Sequence, residues 1–107
     1  MAGPARPSGA VLYEVTLEPE AGLAEAVERY LMDRHIPEIL ATGCFRRIRL
    51  DHASDGRLRT CYEAATEADL ERYLREHTGR FRADFAAHFP QGVSVRREVW
   101  RVRRGWR

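Results

Sequence analysis

Four stretches of the chain alternate apolar and polar residues, and two stretches between them carry helical spacing instead. The order of these two periods constrains the fold more than any other feature. From Ala10 to Leu17, Val11, Tyr13, Val15 and Leu17 share one face and Leu12, Glu14 and Thr16 the other, which predicts a first strand closed by Pro19. Leu23, Val27, Tyr30 and Leu31 then recur at helical spacing, with Glu25 and Arg29 paired on the wet side, so a helix is expected from Glu20 to Arg34. Pro37 opens a further short turn of helix through Ile39 and Leu40, which Gly43 ends. Cys44 to Leu50 reads as the second strand, and Asp51, Ser54, Asp55 and Gly56 turn it into a third strand from Leu58 to Ala64. Thr66 and Asp69 form a capping box for a second helical segment. Its stripe of Leu70, Leu74, His77, Phe81, Phe85 and Phe89 is expected to bend near Gly79 and to end at Pro90 and Gly92. Val93 to Val102 is the fourth strand.

Two right-handed strand-helix-strand passes around a hairpin give an antiparallel sheet in the order 4-1-3-2 with the helices on one face. The expected class is therefore α+β, a ferredoxin-like β-α-β-β-α-β domain over residues 10–103, with a disordered leader at 1–9 and a basic tail at 104–107. The open sheet face is mixed. It carries Leu12, Phe45, Cys61, Trp100 and Val102 among Glu14, Glu63, Glu98, Arg47, Arg59 and Arg96. Glu14 and Glu63 fall on the central strands, where a carboxylate needs arginine partners or water. A second copy of the sheet would supply them, which makes Glu14, Arg59, Glu63, Glu98 and Trp100 the candidate face of a homodimer. A solvated face with intramolecular ion pairs is the alternative.

Composition removes several function classes. The net charge of +2 is too small to name a partner, and all 18 basic residues are arginine. No apolar run approaches the ~20 residues of a membrane-spanning helix, so no membrane partner is expected. Cys44 and Cys61, with no signal peptide ahead of them, point to thiols in a reducing, cytoplasmic setting.

The run from Leu12 to Val15, the segment His35-Ile36-Pro37-Glu38-Ile39-Leu40-Ala41-Thr42-Gly43-Cys44-Phe45, the pair Tyr62-Glu63, the stretch Asp69 to Leu74 and Arg82-Ala83-Asp84 carry a resemblance. Together they resemble a family of small bacterial proteins known as a domain of unknown function. By fold that family is similar to the dimeric α/β-barrel proteins, which include antibiotic-biosynthesis monooxygenases and muconolactone-isomerase-like enzymes. The resemblance implies two sheets packed face to face and a pocket between sheet and helices; it transfers no catalytic residue.

Tyr13, Tyr62, Tyr73, His35 and His77, with Arg97 at the sheet margin, are the candidate ligand-binding residues. Tyrosines orient a phenolic or carboxylate ligand, and a histidine moves protons near neutral pH. Each also has an ordinary structural reading. Tyr30, Tyr62 and Tyr73 fall at core spacing, His35 follows a helix whose last carbonyls an imidazole can bond, and His77 lies on the apolar stripe. Asp84 and His88, four residues apart, are the best local metal pair but lack further ligands, so no metal is expected. No glycine-rich phosphate loop, nucleophile elbow or dinucleotide fingerprint occurs, and no cofactor is expected. The chain thus reads as a homodimeric domain binding a small organic molecule, open to cofactor-independent monooxygenase- or isomerase-like chemistry. A non-catalytic dimerisation or sensing module fits equally. Nucleic-acid binding through Arg96, Arg97, Arg101, Arg103, Arg104 and Arg107, interleaved with Trp100 and Trp106, is disfavoured because Glu63 would repel phosphate.

Overall fold

The computed structural model describes residues 9–107; apart from Gly9, the leader expected at 1–9 lies outside them. The elements run β1 (Val11–Pro19), α1 (Ala24–Tyr30), a π-helical turn (Leu31–His35), α2 (Ile36–Leu40), β2 (Arg47–His52), β3 (Leu58–Ala64), α3 (Glu67–Glu76), α4 (Thr78–His88) and β4 (Val93–Arg101). The strands form one antiparallel sheet in the order β2-β3-β1-β4, which is 4-1-3-2 read from the other edge, with the helices on one side. This is the expected ferredoxin-like α+β architecture.

Register places the apolar rows under the helices. Tyr13 lies between Tyr62 and Val99, and Leu17 between Leu58 and Val95. A slip of one residue would turn each row to solvent. Val11, Val27, Leu31, Ile39 and Leu58 fill the space between sheet and helices, and burying a side chain of this kind stabilises the fold by about 1.5–3 kcal/mol. The start of α3 is capped as its sequence predicts: the Thr66 hydroxyl accepts from the Asp69 backbone N–H at 3.2 Å and donates to the Asp69 carboxylate at 3.0 Å.

Three local features differ from expectation. The first helix does not stop at Arg34 but continues to Leu40 through the π turn. Pro37 has no N–H, and on a regular helix its ring would crowd the carbonyl four residues earlier. The turn before it widens, so that the Ile36 N–H donates to the Leu31 carbonyl five residues back. Second, β2 begins at Arg47 and not at Cys44. Gly43 turns the chain at φ 76°, and Cys44 and Phe45 both drop into the core, so Phe45 belongs to the helix-covered side and not to the open face. Third, the break in the second helical segment falls at His77, with φ −123° and ψ −36°, and Gly79 sits inside α4. The kink lets Tyr73 and Phe81 stack at 6.2 Å in nearly parallel planes. On a straight helix residues eight apart diverge by about 80°.

Candidate functional site

A narrow cavity of about 40 Å³ lies between the centre of the sheet and α4. That is room for about three water-sized groups. Tyr13 reaches it from β1, Thr60 and Tyr62 from β3, Val95 and Arg97 from β4, His35 from the end of the π turn, and Tyr73, Phe81, Arg82 and Phe85 from the helices opposite. The tyrosines pack as a cluster, with the Tyr13 ring 5.8 Å from Tyr62 and 6.2 Å from Tyr73. The Tyr13 hydroxyl accepts a hydrogen bond from Arg82 Nη2 at 3.2 Å, which ties β1 to α4.

Burial sets the charge state of the slot. Desolvation pushes the Tyr73 phenol up to about 12 and raises Tyr62 further still, so both stay protonated hydrogen-bond donors at any ordinary pH. His35 is driven the other way, down to about 4, mainly by burial against Phe81 and Phe85 and also by the Arg97 charge, with Asp84 opposing. Its imidazole is therefore neutral at pH 7. Nδ1 is buried without a hydrogen-bond partner, so the expected bond from this ring to the last carbonyls of the helix is not formed through that atom.

Five of the six candidate ligand residues meet here: Tyr13, His35, Tyr62, Tyr73 and Arg97. His77 does not. Its ring stacks on Tyr73 at 6.2 Å and its Nδ1 lies 2.7 Å from Arg80 Nη1, because the helix break carries it away from the slot. Arg82 was not among the candidates, since it flanks the phenylalanine stripe and does not lie on it. Asp84 and His88 do meet, with His88 Nδ1 3.7 Å from the Asp84 carboxylate and 2.9 Å from its backbone carbonyl, but the carboxylate also accepts a short hydrogen bond from Tyr30 and pairs with Arg34 at 3.2 Å. The Tyr30 bond, with help from Arg34 and His88, holds the Asp84 carboxyl below the usual carboxylate range. Among the described residues no group of three or more His, Cys, Asp or Glu side chains could hold a metal.

On the open face the carboxylates find arginines within the chain. Glu63 is only 2 % exposed and lies 3.6 Å from Arg47 and 3.9 Å from Arg46. Asp51 takes Arg59 at 2.7 Å and Arg49 at 2.8 Å, and Glu98 takes Arg96 at 3.7 Å. Glu14 sits directly opposite Glu98 on the neighbouring strand, an arrangement of like charges that costs stability. Trp100 is 53 % exposed beside them.

A model of the family described as a domain of unknown function, DUF4286, matches residues 10–102, nearly the whole described chain. The chain belongs to the DUF4286 family. No curated protein matches this DUF4286 chain in sequence. Solved structures share its fold. The protein SO0527 from Shewanella oneidensis superposes with a TM-score of 0.62 at 15% identity, over 87% of this chain and 94% of its own. Rv0793 from Mycobacterium tuberculosis gives 0.59 at 21% identity, over 84% and 93%. A proposed monooxygenase from Shewanella loihica PV-4 gives 0.62 at 16% identity, over 95% and 99%. These likenesses establish that the DUF4286 chain has the fold of this group of small bacterial proteins, with no further transfer of residues or chemistry. Among the described residues no helix is long and apolar enough to cross a membrane.

Proposed function

We propose that this DUF4286 domain is a cytoplasmic homodimer that binds a small organic molecule in the slot between sheet and helices. The observation that carries the binding assignment is the meeting of Tyr13, Tyr62, Tyr73 and the unpartnered Nδ1 of His35 in one cavity. Buried polar groups are normally satisfied, and a ligand atom at Nδ1 would complete this set. Within the slot, Tyr62, Tyr73 and His35 are all shifted away from neutral pH. That favours recognition, and stabilisation of developing negative charge by neutral phenols, over proton abstraction by a base near pH 7. A cofactor-independent, monooxygenase-like reaction is compatible with such a site, and the Shewanella loihica neighbour supports it by description.

The dimer rests on the open face, where Glu14 and Glu98 oppose each other beside the half-exposed Trp100. Arginines of a second copy would relieve that repulsion. Nucleic acid has less support. Arg96 and Arg101 already hold Glu98 and Glu67, and the face of β3 turned away from the helices, where a nucleic-acid-binding sheet of this topology presents stacking aromatics, carries Arg59, Cys61 and the buried Glu63 instead. Native mass spectrometry of the purified protein tests both parts. A dimer carrying a co-purified small mass supports them, whereas a bare monomer removes the dimer and leaves the slot without a resident ligand.

A further inference from the structure

Two guanidiniums stand at the slot without a carboxylate to meet them. Arg97 extends from β4 at the register position of Val15, and Arg82 extends from α4 and donates to the Tyr13 hydroxyl. Neither forms an ion pair among the described residues, although Arg34, Arg46, Arg47, Arg49, Arg57 and Arg59 all do. None of the residues lining the cavity is an Asp or Glu. In a chain with 16 acidic residues, most described arginines have found carboxylate partners; Arg82 and Arg97 have not, and both face the same cavity.

We infer that the slot takes a small organic carboxylate, its anionic head held between Arg82 and Arg97 and its apolar body directed into the tyrosine cluster. This rests on the pocket reading above and names its ligand class. Arginine presents a planar fork that matches a carboxylate, and such charge-assisted bonds are about twice as strong as neutral ones. The Tyr13 oxygen already accepts from Arg82, so its own proton is free for the carboxylate. Phe81 and Phe85 supply the apolar wall, and the unpartnered Nδ1 of His35 meets a polar atom at the far end of the molecule. The small volume selects a short body of about one or two carbons beyond the carboxylate. A bulky phosphate ester or a nucleotide does not match it.

The test is an NMR titration at constant ionic strength, following the His35 ring and the Tyr13 and Tyr62 resonances, with acetate and propionate compared with acetamide and propionamide. The acids are expected to bind at least about tenfold more tightly than their amides, the difference one charged hydrogen bond makes. Arg97→Gln and Arg82→Gln should each abolish that preference, while Arg29→Gln, which removes the same charge from a remote surface, should leave it intact. Equal binding of acid and amide overturns the carboxylate assignment and leaves the pocket standing. Stronger binding of inorganic phosphate than of either acid overturns it too. If no probe shifts these resonances, the pocket reading fails, and the ligand class fails with it.

Discussion

His35 shows how burial can remove a proton that the free side chain would carry. Its pKa of about 4 lies below the ordinary value of 6.5, so between these values the unfolded chain is protonated and the folded one is not. Stability is complete above pH 6.5 and falls as the pH drops toward 4, by up to about 3 kcal/mol. Urea unfolding at a series of pH values should show this slope in the native chain and lose it in His35→Phe. Tyr30 acts on Asp84 in the same physical terms. Tyr30→Phe removes the donor that does most to stabilise the carboxylate, so the Asp84 pKa should climb back toward the usual range in an NMR titration. Tyr13 and Tyr62 were legible as neighbours because strand alternation fixes their face. The Tyr30–Asp84 bond was not, because its partners lie 54 positions apart and only packing of α1 against α4 joins them.

Elements differ in how clearly local sequence specifies them. β3 was readable to the residue because its residue types alternate, with Leu58, Thr60, Tyr62 and Ala64 on one face, and because Ser54, Asp55 and Gly56 turn the chain just before it. The start of β2 was not, since Cys44 and Phe45 are consecutive and both buried, which breaks a period of two. α4 carries Arg82 on the flank of its apolar stripe, so its part in the slot emerges only once the helix is laid on the sheet. The junction between α4 and β4 gives a sharper case. Gly92 sits at φ 88°, and a Cβ there would come within 2.6 Å of the Leu23 side chain. Gly92→Ala should cost about 1–3 kcal/mol, from backbone strain and this clash together. A midpoint in urea unchanged from the parent would show that the junction yields.

For the molecule as a whole, one sheet face serves the core and the slot, and the other carries ion pairs and the half-exposed Trp100 around a centre where Leu12, Cys61 and Glu63 are buried. Placing a third carboxylate beside Glu14 and Glu98 should separate a face-to-face dimer. Light scattering at micromolar concentration is expected to give a dimeric mass for the parent chain and a monomeric one for Trp100→Glu; a monomeric parent would sink the dimer. The π turn has a consequence of a different kind. Val27, Leu31, His35 and Ile39 are spaced by four, and on an unbroken α-helix the last would sit about 120° around from the first. The wide turn absorbs one residue and brings all four to the same side. Plain helix at this length would carry Ile39 out of the core, whereas a chain one residue shorter between Leu31 and His35 would close into plain helix with Ile39 still about 20° from Val27. This segment should therefore tolerate the loss of one residue far better than the gain of one, which would leave Ile39 about 120° from Val27.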